Sequence, residues 1–171
     1  PIHYVGADYA APFRGARIAE RLDAAISGDE PIDPDFHREL QRDVRDGRAD
    51  QLVPDLVAAI EKRDASASGA SGSGASERVR DAAATLDDWD HRMAADSRGA
   101  LLFDRWIDRF RALVFGAAFD AVDLDETYYP NDWVLATLPA DDPLFDDRSR
   151  GEAMVAALAA ALDEIDEAGW E

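Results

Sequence analysis

Cysteine is absent from this chain of 171 residues. Disulfides and thiolate nucleophiles are therefore excluded, and a zinc site loses its usual ligand. Lysine occurs once, at Lys62, so arginine supplies nearly all the positive charge. Cations are scarce altogether: 18 Lys and Arg stand against 37 Asp and Glu, for a net charge of −19. So acidic a chain repels nucleic acid and anionic lipid, both of which need a cationic face. No apolar run approaches the ~20 residues of a membrane-spanning helix. No signal peptide is visible, and the chain begins at Pro1 rather than methionine, which suggests a processed or excised piece. The acids are spread over every segment. That distribution fits adaptation to a high-salt cytoplasm or medium, where salt screens self-repulsion. An acidic surface for one basic partner is the alternative, and it would cluster its charge.

What the chain does have is alanine, leucine and helical periodicity, with no sustained strand alternation. The expected fold is a single all-α domain over residues 1–171, with about five to seven helices and long loops. Residues 1–11 read as an extended arm. Pro12 suits a helix first turn, and that helix runs to about Ser27, where Gly28 ends it. Asp33 caps a second helix with Pro34 at its first position. Phe36, Leu40 and Val44 mark its buried side, and Gly47 closes it. A third helix spans Arg48 to Lys62, with a kink or a break and restart expected at Pro54. Residues 65–76, all Ala, Ser or Gly, read as a flexible surface linker. Helices from Glu77 to Met93 and from about Arg98 to Phe115 follow, the second being the most apolar and so central. Residues 116–147 read as irregular loop with short helical turns, pinned by Tyr128, Tyr129 and Trp133. A last helix covers Arg148 to Ala168.

The residue types that carry chemistry are thinly spread. His3, His37 and His91 lack metal-ligand spacing. Trp89-Asp90-His91, read as helix, points its neighbouring side chains about 100° apart, which a single site rarely uses. The pairs Asp87/Asp88, Asp141/Asp142 and Asp146/Asp147 lack the alternation of a calcium loop and read as solvated surface. Ser27, Ser97 and Ser149 sit near helix ends, where capping accounts for them. The glycines at 69–74 lack the lysine and strand of a phosphate loop. Two arginines stand out. Ile18, Leu22, Ala25 and Ile26 form one apolar stripe; Arg14 falls on it and Arg17 on its flank. A guanidinium turned inward needs an acceptor. Glu20 or Glu39 within the chain would make an internal ion pair; a substrate or another part of the protein is the other source.

The same residues carry a resemblance. Tyr4-Val5-Gly6-Ala7-Asp8-Tyr9-Ala10-Ala11-Pro12-Phe13-Arg14-Gly15-Ala16-Arg17-Ile18 resembles a stretch of the penicillin acylase (penicillin amidase) family that opens a helical part of the large β-chain. Leu40-Gln41-Arg42-Asp43, with Arg48-Ala49 and Leu52-Val53-Pro54, is similar to the family's Gln-x-Asp…Ala…Leu-x-Pro run. Leu86-Asp87-Asp88-Trp89-Asp90-His91-Arg92-Met93, then Ser97-Arg98-Gly99-Ala100-Leu101-Leu102-Phe103 and Trp106, resembles its Leu-x-x-Trp-Asp stretch and the following helix. Gly169-Trp170 looks like the approach to the next sheet segment. The likeness spans nearly the whole chain except the Ser/Gly segment and much of 116–147. It rests on the order of these pieces rather than on one motif.

The resemblance implies an N-terminal-nucleophile hydrolase with an αββα core. An autoprocessed serine attacks an amide, its own α-amine acts as base, and backbone and asparagine donors hold the oxyanion. By the same resemblance the serine and asparagine lie outside this chain, which is then the helical segment of the enzyme and not catalytic in isolation. Pro1 has no hydroxyl to offer. Arg17 matches the arginine that reaches toward the active site and supports the oxyanion-hole asparagine and the substrate. Arg14 matches a neighbouring, supporting position. No cofactor is implied for this segment, although some family members hold a structural calcium; Asp8 lies near one ligand position without aligning to it. The implied partners are the rest of the acylase and an N-acylated small molecule such as a penicillin or an acyl-homoserine lactone. An independent acidic helical interaction module is the other reading.

Overall fold

The computed structural model describes residues 10–69 and 75–169. Among the described residues there are seven α-helices and no strand: α1 Phe13–Ser27, α2 Pro34–Gln41, α3 Gly47–Gly69, α4 Glu77–Asp87, α5 Arg98–Asp120, α6 Asp132–Thr137 and α7 Arg150–Ala168. Short 3₁₀ turns at Glu126–Tyr128 and Pro143–Phe145 complete the order. The all-α expectation is met.

α3, α4, α5 and α7 pack into one bundle, with α5 and α7 forming the most extensive pair. α5 is apolar around much of its circumference. Its Phe103, Trp106, Ile107 and Phe110 are fully buried, as are Leu52 and Leu56 of α3 and Met154 and Leu158 of α7. Trp106 stacks parallel to Phe110 at 6.1 Å, and Phe110 to Phe145 at 6.4 Å. The buried indole is satisfied because Trp106 Nε1 donates to Met154 O at 3.1 Å. α7 is alanine-rich where it meets α3. A Cβ added at Gly151 would stand 2.9 Å from that of Ala59, so the two helices approach closely. Of the three serines expected to cap, two do so, while Ser27 ends α1, which is closed by the backbone N–H at Gly28. Ser97 caps α5, and Ser149 caps α7 in a reciprocal box with Glu152.

α1 and α2 build a second, smaller core of Ala25, Phe36 and Leu40, against which Ile18 and Leu22 pack. Asp33 caps α2 as expected, its carboxylate accepting from Asp35 N and Phe36 N.

Several boundaries move. α3 runs without a break through Pro54, because Ala49, Leu52, Val53 and Leu56 are buried on both sides of the proline. Gly47 opens α3 and does not close α2, which ends at Gln41. Val44 therefore leaves the helical face and is 40% exposed. α4 stops at Asp87, and Trp89 to Ala94 form a non-helical connection. Residues 65–69, expected as linker, continue α3, and Ala75 is buried with its N–H donating to Asp64 Oδ1 at 2.7 Å. Residues 70–74 lie outside the described residues. α5 extends to Asp120, five residues into the expected loop. Of its three expected anchors only Tyr129 is half-buried, against Phe115 and Phe119. Tyr128 is 62% exposed; Leu135 and Phe145 do the pinning. Periodicity counts Tyr and Trp as apolar and cannot say which one a loop turns inward.

Candidate functional site

The arginines of α1 come into place through Phe13, the first residue of that helix. Its ring packs edge-on against Trp133 of α6 at 5.9 Å, and a Cβ on Gly47 would meet it at 3.4 Å. One residue on, Arg14 reaches the end of α2. Its Nη1 donates to Asp43 O and its Nη2 to Leu40 O, both at 2.8 Å. Carbonyls at a helix C-terminus lack intrahelical donors and carry partial negative charge, so a guanidinium is a fitting cap. Among the described residues no carboxylate lies within ion-pair distance of Arg14, and the side chain stands at the surface.

Arg17 is used differently. Its Nε and Nη2 both approach Asp43 Oδ2 at 2.8 Å, and its Nη1 pairs with Glu20 at 2.8 Å. Asp43 is the one charged residue buried among the described residues, with its side chain 3% exposed. It also accepts from Arg45 N at 3.0 Å and has Arg92 at 3.7 Å and Arg21 at 4.0 Å. Burial by itself would raise its pKa. The Arg45 N–H and the charges of Arg17 and Arg92 outweigh burial and hold it below the ordinary 3.8. Arg17 thus finds its acceptor inside this chain, 26 residues away. Glu20 is one of the two partners the sequence offers; Glu39 makes no such pair among the described residues, and Asp43 is the partner it did not offer. Helical spacing finds neighbours at three and four residues, and Asp43 belongs to the turn after α2, beyond its reach.

A second strand of contacts ties this corner to the bundle. Arg45 and Arg92 form an isolated antiparallel bridge, with Asp46 N donating to His91 O at 2.8 Å and Met93 N to Val44 O at 3.0 Å. His91 has φ +59°. It places Nδ1 2.6 Å from Asp50 Oδ1, an oxygen that Arg45 Nη2 also reaches at 2.6 Å. Trp89 Nε1 donates to Arg92 O at 3.1 Å. A Cβ on Gly99 would sit 2.5 Å from Trp89 Cγ, so only glycine lets the indole lie on α5. The reading of Trp89 to His91 as helix is corrected: the connection turns His91 onto α3. Nearby, Arg48 holds Asp46 at 2.6 Å and Asp132 at 2.7 Å, and Arg111 lies 3.2 Å from Asp132. These pairs fasten α6 to α3 and α5.

Segments that carry the resemblance therefore meet in space, 14–18 on 40–43 and Trp89 on Gly99, while the intervening residues 44–46 lie on 91–93. A family model described as Penicillin amidase matches residues 1–171, the whole chain. The chain belongs to the penicillin amidase family. A comparison with curated proteins finds no match.

Ser76, Ser97 and Ser149 cap helices, and Ser66, Thr85 and Thr137 bond backbone carbonyls four residues back. His37 lies against Phe36, and His3 and Asp8 lie outside the described residues. Among the described residues no group of three or more His, Asp or Glu could hold a metal ion, and no helix is long and apolar enough to cross a membrane.

Proposed function

We propose that this chain is the helical part of an amidohydrolase that cleaves the amide of penicillins or other N-acylated small molecules. Its nucleophilic serine and oxyanion asparagine are supplied by the rest of the protein, so the segment is not catalytic in isolation and needs no cofactor of its own. The observation that carries this reading is the meeting of the family segments around Arg14, Arg17 and Asp43. In it the two arginines divide the work. Arg17, neutralised by Asp43, fixes α1 and supports the site by holding its frame. Arg14, which pairs with no carboxylate among the described residues, stands at the surface on a two-point mount, and it is the group that meets the oxyanion side of the site or a substrate anion. Such preorganised charge is effective because little reorganisation accompanies the reaction.

The test uses the intact enzyme. Arg14→Ala should lower kcat on the order of 100-fold, the size of a lost oxyanion-side donor. Wild-type turnover in that variant would overturn the assignment.

The acidity fits a high-salt setting, as the even spread of Asp and Glu supports. Molar salt should then raise the melting temperature of the intact protein, since screening relieves self-repulsion. A melting temperature flat or falling with salt would refute it.

A further inference from the structure

Taking two charges out of water is costly, and a well-packed apolar pair often serves stability as well. Arg48 and Asp132 are nevertheless largely buried together. Their side chains are 26% and 12% exposed, with Arg48 Nη1 2.7 Å from Asp132 Oδ2. The arrangement is not fully satisfied. Arg111 Nε lies 3.2 Å from Asp132 Oδ1, yet neither atom has a hydrogen-bond partner among the described residues. Arg48 is fixed on its other sides by Asp46 at 2.6 Å and by the ring of Phe103, whose centroid is 5.6 Å away. What so directional a pair positions is read from its neighbours in sequence. Gly47 precedes Arg48 at the start of α3, and Trp133 follows Asp132 at the start of α6. Phe13 stands between those two neighbours. Its ring meets Trp133 edge-on at 5.9 Å, and a Cβ on Gly47 would lie 3.4 Å from its Cβ and Cδ1. The ion pair thus ties together the two walls of the slot that holds Phe13.

We propose that Arg48 and Asp132 are positioning residues: their ion pair sets the width of the Phe13 slot, and the slot sets where Arg14 stands. For its effect on turnover, the inference rests on the amidohydrolase reading above. Arg14 is held at two ends. Its guanidinium is tied to Leu40 O and Asp43 O at 2.8 Å, and its backbone follows Phe13. With the slot open, the start of α1 can shift while the guanidinium stays tethered, and the charge leaves its place. A misplacement of about 1 Å, caused far from the chemistry, can cost on the order of 100-fold in rate. α6 cannot supply this precision alone. It has six residues, too few for a stable isolated helix. Leu135 buries one side of it, while Trp133 is 40% exposed, so core packing does not hold that wall. Asp132 fixes the first turn of α6 on α3 and α5.

The test is a double-mutant cycle in the intact enzyme. Asp132→Asn, Trp133→Ala and Trp133→Phe are each made with Arg14 present and with Arg14→Ala. With Arg14 present, Asp132→Asn and Trp133→Ala should lower kcat at least about tenfold. Trp133→Phe keeps an aromatic wall and should retain most of the activity. In the Arg14→Ala background neither Asp132→Asn nor Trp133→Ala should lower kcat further, because both act through Arg14. Losses of equal size in the two backgrounds would overturn the proposal, since a general weakening of the fold acts whether or not Arg14 is present. Unchanged kcat in Asp132→Asn and Trp133→Ala beside an impaired Arg14→Ala would also overturn it and leave the amidohydrolase reading standing. Full turnover in Arg14→Ala would instead remove the catalytic role of Arg14, and amide exchange then decides the slot by itself. The Ala16 N–H, which bonds Pro12 O at 2.8 Å in the first turn of α1, should exchange at least about tenfold faster in Trp133→Ala while α5 amides keep their rates. An unchanged Ala16 rate would overturn the slot. Trp133 stands partly at the surface, so its variants carry the test if Asp132→Asn does not fold.

Discussion

The α3–α4–α5–α7 bundle and the α1–α2 corner are held together by different forces. In the bundle, Trp106, Phe103, Phe110 and Leu158 are fully buried and, apart from the Trp106 Nε1–Met154 O hydrogen bond, they are held by apolar packing. In the corner only Ala25, Phe36 and Leu40 form a core, and Asp43 with its arginines joins α1 to the turn that follows α2. Apolar packing is non-directional and tolerates any residue of suitable shape. A buried carboxylate among guanidiniums is directional and demands particular partners. The bundle is accordingly a scaffold, and the corner is where position is specified to the ångström.

The largest effect should come from the bundle. Trp106→Ala removes the indole from its stack with Phe110, its edge contact with Phe103 and its bond to Met154 O. Loss of stability should be about 3–5 kcal/mol by denaturant titration. A loss below about 1 kcal/mol would show that the stack is not the keystone of the bundle.

Asp43→Ala should cost less, about 2 kcal/mol, because it takes the long-range carboxylate from Arg17, leaving it Glu20, and deprives Arg45 N of its acceptor, while Arg17 and Arg92 keep access to water. The loss should be local. Amide exchange should accelerate in α1 and stay unchanged in α5, and uniform acceleration would erase the distinction between the two regions. Acid should act in the same direction. The folded-state pKa values of Asp43 and Asp50 are lowered, by Arg45 N and Arg17 for the first and by His91 and Arg45 for the second, in each case against burial. Their contribution is present above the ordinary 3.8 and is lost as pH falls through the lower folded values. Below pH 3.8 α1, through Asp43, and the contact of residues 91–93 with α3, through Asp50, should therefore lose protection before the apolar interior of the bundle does.

That contrast also explains what the sequence discloses. The bundle is legible because its signal is local: Leu101 to Val114 and Met154 to Ile165 repeat at helical spacing, and Ser97 and Ser149 announce their helices. Arg14 and Arg17 are visible as charges out of pattern, yet the partner of Arg17 lies in a non-helical turn 26 residues on. The fixing of His91 on Asp50 depends on α4 ending at Asp87, and no glycine or proline marks that end. Tertiary ion pairs leave no periodicity. Only the order of the family segments hints that 14–18, 40–43 and 86–93 belong together.

The smallest effect on stability belongs to Arg14, and it sharpens the comparison most. Arg14→Ala removes two hydrogen bonds to carbonyls that water can replace at the surface. Stability should fall by only about 0.5–1 kcal/mol. Arg17→Ala leaves the buried Asp43 carboxylate without its nearest cation and should cost more, about 2 kcal/mol. If turnover falls with Arg14→Ala while stability barely moves, and with Arg17→Ala falls in step with the loss of α1 protection, the first arginine acts on the reaction and the second on the frame. Equal stability losses in the two variants would mean that both only hold the helix. The corner would then be a weaker version of the bundle and not a separate, functional layer of the fold.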